Sequence, residues 1–92
     1  RDNRSMLLRT LLGLSLRELR RERGLTFQDV ADRAHVSVSH LSEIERGIVE
    51  ASSELLAAIC AALEIEIGDL LQLVLSRWGI TSLDSDRFTL AA

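Results

Sequence analysis

Apolar residues recur along this chain at the three- and four-residue spacing of amphipathic helices, in five separate stretches. The pattern predicts helices over residues 5–23, 27–34, 38–46, 52–63 and 66–78. Gly24 and Gly47 follow the first and third stretches, where glycine commonly ends a helix. Gly13 lies inside the first stretch and allows a kink or break there, because glycine costs a helix about 1 kcal/mol relative to Ala.

The second and third stretches are short and lie close together, with the spacing of a helix-turn-helix. Thr26 and Ser37 precede them, and both are residue types that cap helix N-termini. Helices this short are not stable alone in water, so their apolar faces must pack against a larger body. The small Ala31 would let them cross closely at a steep angle. By apolar spacing alone, an ordinary pair of bundle helices explains this stretch as well as a DNA-binding unit does.

Composition favours a single small all-α domain spanning residues 1–92. Hydrophobic residues make up 47% of the chain and aromatic residues only 3%, which suits helices packed on helices. No run of about 18 apolar residues and no signal-peptide pattern is present, so we expect no membrane segment. A lone cysteine, Cys60, allows no internal disulfide and fits the cytoplasm.

Charge is distributed unevenly along the chain. The total is −3, yet residues 1–47 contain nine Arg and seven acidic residues, whereas residues 48–92 contain two Arg and seven acidic residues. All eleven basic residues are Arg, whose planar fork suits phosphates and guanine edges, although a G/C-rich genome explains that bias equally well.

Residues with catalytic chemistry form no convincing site. His35 and His40 are five residues apart with no third ligand at metal spacing, and Cys60 lies on an apolar helical face that favours a buried structural thiol. Ser39 and His40 are adjacent on a helix and therefore point apart. We expect no enzyme activity, no metal and no cofactor.

A longer pattern resembles a known family. The matching residues are Leu25-Thr26, Val30-Ala31, Val36-Ser37, Leu41 to Gly47, and the later Ser52, Leu56, Ile59 and Ala62-Leu63. In these positions the chain, from about Leu16 to Leu71, is similar to the Cro/C1-type (XRE) helix-turn-helix regulators. Within that family it is most similar to the actinobacterial regulators of Clp protease genes. The resemblance implies a compact five-helix bundle of the lambda-repressor-like DNA-binding type, and a regulator that activates Clp protease and proteostasis genes.

The resemblance also implies which residues meet DNA. The third helix would be the recognition helix in the major groove of a double-stranded DNA operator, and the start of the second helix would meet a phosphate. The candidate DNA-binding residues are Thr26, Gln28, Ser37, Val38, Ser39, His40, Ser42, Glu43 and Arg46. His40 is the weaker candidate because it borders the scaffold. Physically, Val38 can touch a thymine methyl and Glu43 can accept from a cytosine amine.

Other positions implied by the family are structural. Glu45 would pair with Arg20 on the first helix, as a partly buried ion pair rather than a DNA contact. The chain also departs from the family, with Phe27 in place of a usual Gln, Ala51 in place of a usual Pro, and His35 and Glu64 in place of usual glycines. The position of His35 often takes positive φ, which His tolerates only moderately.

The fifth helix is too apolar for one small core. We expect helix five and the tail, residues 67–92, to form a homodimer interface through Leu71, Val74, Leu75 and Trp78, unless the tail or the N-terminal segment folds over that face. Family members bind near-palindromic operators as dimers, with recognition helices about 34 Å apart.

Two further partners and one alternative function are hypotheses. In activating relatives an acid on the second helix touches the RNA polymerase sigma subunit, and Asp32 falls there, although a solvated surface charge explains it more simply. Leu90-Ala91-Ala92 resembles the small apolar tag that Clp-type proteases recognise. The alternative function is a protein-interaction module, such as an antitoxin or an adaptor.

Overall fold

Five helices make up the described part of the chain, as the sequence predicted. The computed structural model describes residues 3–79, with side chains from residue 8 onward. The helices are α1 (Asn3–Glu22), α2 (Phe27–Ala34), α3 (Val38–Glu45), α4 (Ser53–Leu63) and α5 (Ile67–Arg77). No strand occurs between residues 3 and 79, and the predicted all-α fold is confirmed.

Side-chain caps set where the middle helices begin. The hydroxyls of Thr26, Ser37 and Ser52 each accept a hydrogen bond from the backbone N–H three residues later, at 3.0–3.1 Å. At α2 the carboxylate of Asp29 also accepts from the Thr26 N–H at 2.9 Å, which completes a capping box. The hydrogen bonds from the backbone and side chain of Thr26 lower the pKa of Asp29, because they favour its charged form.

The core is aliphatic and lies where α1, α2 and α4 meet the other two helices. α2 packs mainly on α4, and α1 packs on both α3 and α5. The most deeply buried apolar side chains come from all five helices: Leu16, Val30, Leu41, Ile59, Leu63 and Leu70. The short helices α2 and α3 are therefore held by packing on the longer ones, as their length requires.

Gly13 is not a break. α1 continues through it, and a Cβ at this position would lie 2.4 Å from the carbonyl oxygen of Glu45 and 2.6 Å from that of Ile44. The break that the sequence allowed at Gly13 is therefore not present. The glycine lets the end of α3 approach α1, because no side chain stands between the two backbones.

Among residues 3–79, two non-glycine residues take left-handed backbone conformations. His35 has φ 58° and ψ 46° after α2, and Glu64 has φ 61° and ψ 44° after α4. Both are exposed and lie where a glycine commonly ends a helix. His35 thus has the positive φ that the family resemblance implied for its position.

Two arginines hold the end of α4 from a distance in sequence. The Arg23 side chain donates to the carbonyl oxygen of Leu63, and Arg33 Nη1 donates to that of Ala62 at 3.2 Å. These carbonyls have no partner inside the helix, so the cations satisfy them and complement the helix dipole. The sequence pattern did not single out this arrangement, because the partners are 29 and 40 residues apart.

Candidate nucleic-acid interface

The α2–α3 unit is anchored by a buried ion pair. Arg20 Nε donates to Glu45 Oε2 at 2.8 Å, and Arg20 Nη2 donates to Glu45 Oε1 at 3.1 Å. Arg20 Nη1 also donates to the carbonyl oxygen of Leu25 at 3.0 Å, and its guanidinium lies 4.0 Å from the centre of the Phe27 ring. The Arg20–Glu45 pair predicted for α1 and α3 is thus present. Together these contacts tie α1, the start of α2 and the end of α3 at one point.

Phe27 has a structural position. Its ring is half-buried and stacks on the Arg20 guanidinium, an arrangement in which the cation is attracted to the negative face of the ring. A glutamine would supply no such face. The departure from the family pattern at this position therefore supports the anchor from the α2 side.

The buried face of α3 consists of Leu41, Ile44 and Glu45, which are at most 5% exposed. The opposite face is exposed to solvent. Ser39 and Arg46 lie together at its centre, because helical positions two turns apart point in the same direction. Ser42 and Glu43 flank them and are half-buried. We call Ser39, Ser42, Glu43 and Arg46 the outer face of α3.

Within residues 8–79, none of the outer-face side chains has a hydrogen-bond or ion-pair partner. Val38 lies at one edge of this face and is 36% exposed, and the half-buried His40 lies at the other edge. His40 thus borders the scaffold, as the sequence suggested. The outer face offers hydroxyl, carboxylate and guanidinium groups to a ligand.

The other three candidates lie at helix starts. Thr26 and Ser37 are exposed caps whose oxygens accept backbone hydrogen bonds, so each serves a helix as well as any ligand. Gln28 is exposed on α2, and its Nε2 donates to Asp32 Oδ1 at 2.8 Å. Gln28 and Asp32 must therefore part if either is to bind something else through those atoms.

The four residues expected at the dimer interface do not share one environment. Leu71 and Trp78 are 52% and 43% exposed, and Leu75 is half-buried. Val74 is only 3% exposed and belongs to the core, so the other three residues are the ones this face offers to a partner. Ile67, 44% exposed, extends the apolar stripe instead, because it lies one turn before Leu71.

The described part of the chain offers little to other kinds of function. No group of three or more His, Cys, Asp or Glu side chains able to hold a metal occurs there. None of the helices in that part is both long and apolar enough to cross a membrane. Burial raises the pKa of the Cys60 thiol, which keeps it protonated and unreactive. The Leu90-Ala91-Ala92 segment lies outside the described residues.

Comparisons with known proteins agree with this geometry. Residues 11–73 match the family model described as "Helix-turn-helix domain". A Mycobacterium tuberculosis protein named "Transcriptional regulator ClgR" is 51% identical over 61 residues, which are 66% of this chain and 54% of that protein. The chain thus matches about half the length of that curated relative.

Solved structures are similar over more of the chain. The clp gene regulator ClgR from Corynebacterium glutamicum superposes with a TM-score of 0.73 at 43% identity, covering 75% of this chain and 88% of that one. The restriction-modification controller protein C.AhdI from Aeromonas hydrophila superposes with a TM-score of 0.66 at 31% identity, covering 67% of this chain and 94% of that one.

Proposed function

Because the chain belongs to the XRE-type helix-turn-helix family, we propose that it is a sequence-specific DNA-binding transcription regulator that reads its operator with α3. Proteins of this class regulate transcription and are not enzymes. The observation that carries the proposal is the outer face of α3, whose polar side chains are free within the described residues while the opposite face is fixed in the core.

The chemistry of the outer face suits base edges and phosphates. The Arg46 guanidinium can donate two parallel hydrogen bonds to guanine, or one or more to a phosphate. The Glu43 carboxylate can accept from a cytosine amine, and the Ser39 and Ser42 hydroxyls can bond to either kind of group. Val38, at the edge of the face, can contact a thymine methyl.

The start of α2 provides a second contact. The first N–H groups of a helix have no partner within it, and the positive end of the helix dipole attracts an anion. Thr26 and Gln28 stand at this end and are exposed. We assign them a phosphate of the DNA backbone, with Ser37 playing the same part at the start of α3.

Two copies would bind together. We assign self-association to the apolar stripe on α5, since exposed stripes of this kind usually mark a site where a partner binds. The stripe consists of Ile67, Leu71, Leu75 and Trp78. A two-fold axis there would hold two recognition helices one turn of DNA apart, about 34 Å, on a near-palindromic operator. The tail after residue 79 could add to that interface.

The names of two relatives support a proposal for the target genes. Two similar proteins bear the name ClgR, and one is described as a clp gene regulator. We assign Clp protease promoters to this chain as targets and activation as the effect. Asp32 on α2 is the candidate contact to the sigma subunit, and the segment Leu90-Ala91-Ala92 is a candidate Clp protease tag.

DNA binding is tested by selecting sequences from a random duplex library and measuring affinity by fluorescence anisotropy at several salt concentrations. Arg46→Ala should weaken specific binding by about 1–3 kcal/mol, and if Arg46 contacts a phosphate it should also reduce the salt slope by about one. Arg21→Ala is the matched control, because Arg21 is exposed on α1 and lies on the side of that helix near Arg77 of α5. If the wild-type protein enriches no sequence, the proposal of sequence-specific DNA binding is wrong, and an antitoxin or adaptor role takes its place.

Dimerisation is tested by light scattering after gel filtration. Leu71→Asp should yield monomers with unchanged helicity, because Leu71 is 52% exposed and its loss leaves no core cavity. Glu54→Asp, at an exposed position on α4, is the control. A dimer that survives Leu71→Asp at micromolar concentration would place the interface elsewhere.

A further inference from the structure

A cavity of about 190 Å³ opens between the N-terminal half of α1 and the loop that joins α3 to α4. Its apolar lining comes from α1, α3, that loop and α4: Leu8, Leu12, Ile44, Val49, Ala51 and Leu56. None of these residues belongs to the outer face of α3 or to the α5 stripe. An apolar cavity of about 150 Å³ can hold benzene, so this one has room for an apolar group of roughly six to eight carbons.

A cation with spare hydrogen-bonding capacity completes the lining. Arg9 lines the cavity, and its Nε is buried without a hydrogen-bond partner among the described residues. Buried donors are rarely left unpaired in folded proteins, so an orphan of this kind calls for a partner beyond the described residues. The Arg9 side chain as a whole is 28% exposed although its Nε is not, so the guanidinium must turn for a ligand to reach Nε.

Glu50 holds the other side of the guanidinium. Its Oε2 accepts from Arg9 Nη1 at 3.0 Å, and its side chain is 65% exposed. The edge formed by Nε and Nη2 has no partner within residues 8–79. A carboxylate can take both donors of such an edge in parallel, so Arg9 can bind Glu50 and a second carboxylate at once.

We propose that this cavity is a binding site for a small carboxylic acid with an unbranched apolar chain. Its carboxylate would lie against the Nε–Nη2 edge of Arg9, and its chain would fill the space between Leu12 and Leu56. The ligand would also contact Ile44, which lies on the buried side of α3. Ligand binding would therefore affect α3, the helix that we propose binds DNA.

The test titrates DNA-free protein with butanoate, hexanoate and octanoate at neutral pH, followed by calorimetry and by amide chemical shifts. Affinity should rise about fourfold for each added methylene until the cavity is full, because each buried methylene adds a constant free-energy increment. Octan-1-ol, with the same chain and no charge, should bind at least tenfold more weakly than octanoate.

Two variants locate the site. Arg9→Gln should weaken octanoate binding about tenfold or more, because hydrogen bonds to a charged group are lost. Ala51→Leu should abolish binding by filling the cavity while leaving Arg9 in place. Arg17→Gln, at an exposed arginine on the same helix, should bind octanoate like the wild type. Thermal unfolding of each variant shows that it is folded.

Several results would overturn the site. These are no saturable binding of any acid, equal binding of octanoate and octan-1-ol, or equal losses in Arg9→Gln and Arg17→Gln, which would indicate non-specific adsorption. Shift changes confined to α5 would assign the acid to the exposed stripe instead. Because no DNA is present, these results do not depend on the proposed regulatory function.

Discussion

Removing one partner of the buried Arg20–Glu45 pair should be among the most damaging single changes in this protein. The two side chains are 10% and 4% exposed, and two parallel hydrogen bonds of 2.8 and 3.1 Å join them. Glu45→Ala would leave the Arg20 charge in the interior without its counter-ion. Loss of one member of such a pair costs about 3–5 kcal/mol. A native protein has a total unfolding free energy of only about 5–15 kcal/mol.

Urea unfolding followed by circular dichroism measures this loss. Protein concentration must be the same for all variants, since a dimer gains stability with concentration. The melting temperature should fall by well over 10 °C, given about 4–8 °C for each kcal/mol in a domain of this size. Glu43→Ala, two residues earlier on the outer face of α3, is the matched control and should change stability by less than about 0.5 kcal/mol.

The double variant Arg20→Met with Glu45→Leu separates pairing from packing. If the damage comes from the stranded charge, the double variant should be more stable than Glu45→Ala, because no charge is then buried. Strictly additive losses would refute this reasoning. So would a loss below about 1 kcal/mol in Glu45→Ala, which would mean that Arg20 reaches water easily.

Four other predictions concern single positions. Gly13→Ala should destabilise the protein by about 1–3 kcal/mol, despite better helix propensity, because the new methyl would collide with the Glu45 carbonyl; a more stable variant by urea unfolding would contradict this. His35→Gly should stabilise it by about 1 kcal/mol by relieving a left-handed backbone, whereas His35→Val should destabilise it. Ser15→Ala should stabilise it by about 1 kcal/mol, since the fully buried hydroxyl has no partner within residues 8–79; equal melting temperatures would indicate a hidden hydrogen bond. The lowered pKa of Asp29 means that its charged form stabilises α2 above its ordinary pKa, and that this contribution disappears as the pH falls below about 4. Asp29→Asn should flatten that acid limb in a pH series of melting curves.

Several features of the site could be predicted from local sequence. Thr26 and Ser37 each bond to a backbone N–H three residues away, so the residue type and its place before an apolar stretch are enough to predict them. The inward direction of Leu41 and Ile44 follows from the helical repeat in the same way. The Arg20–Glu45 pair spans 25 residues, and only the family resemblance pointed to it.

Other features depend on which surfaces meet in three dimensions. The sequence alone assigned Gly13 to a weak helix, whereas packing makes it the contact between α1 and α3, because the effect of a missing Cβ depends on what lies opposite. Val74 and Leu71 are both apolar, and helical periodicity could not tell the core residue from the exposed one until α1 was placed. The unpaired Nε of Arg9 likewise depends on the tertiary structure, because the loop brings Glu50 to Nη1 of that guanidinium and leaves Nε without a partner among the described residues. Local hydrogen bonds are specified by residues near in sequence, but burial, close approach and unpaired donors are set by neighbours that only the folded chain brings together.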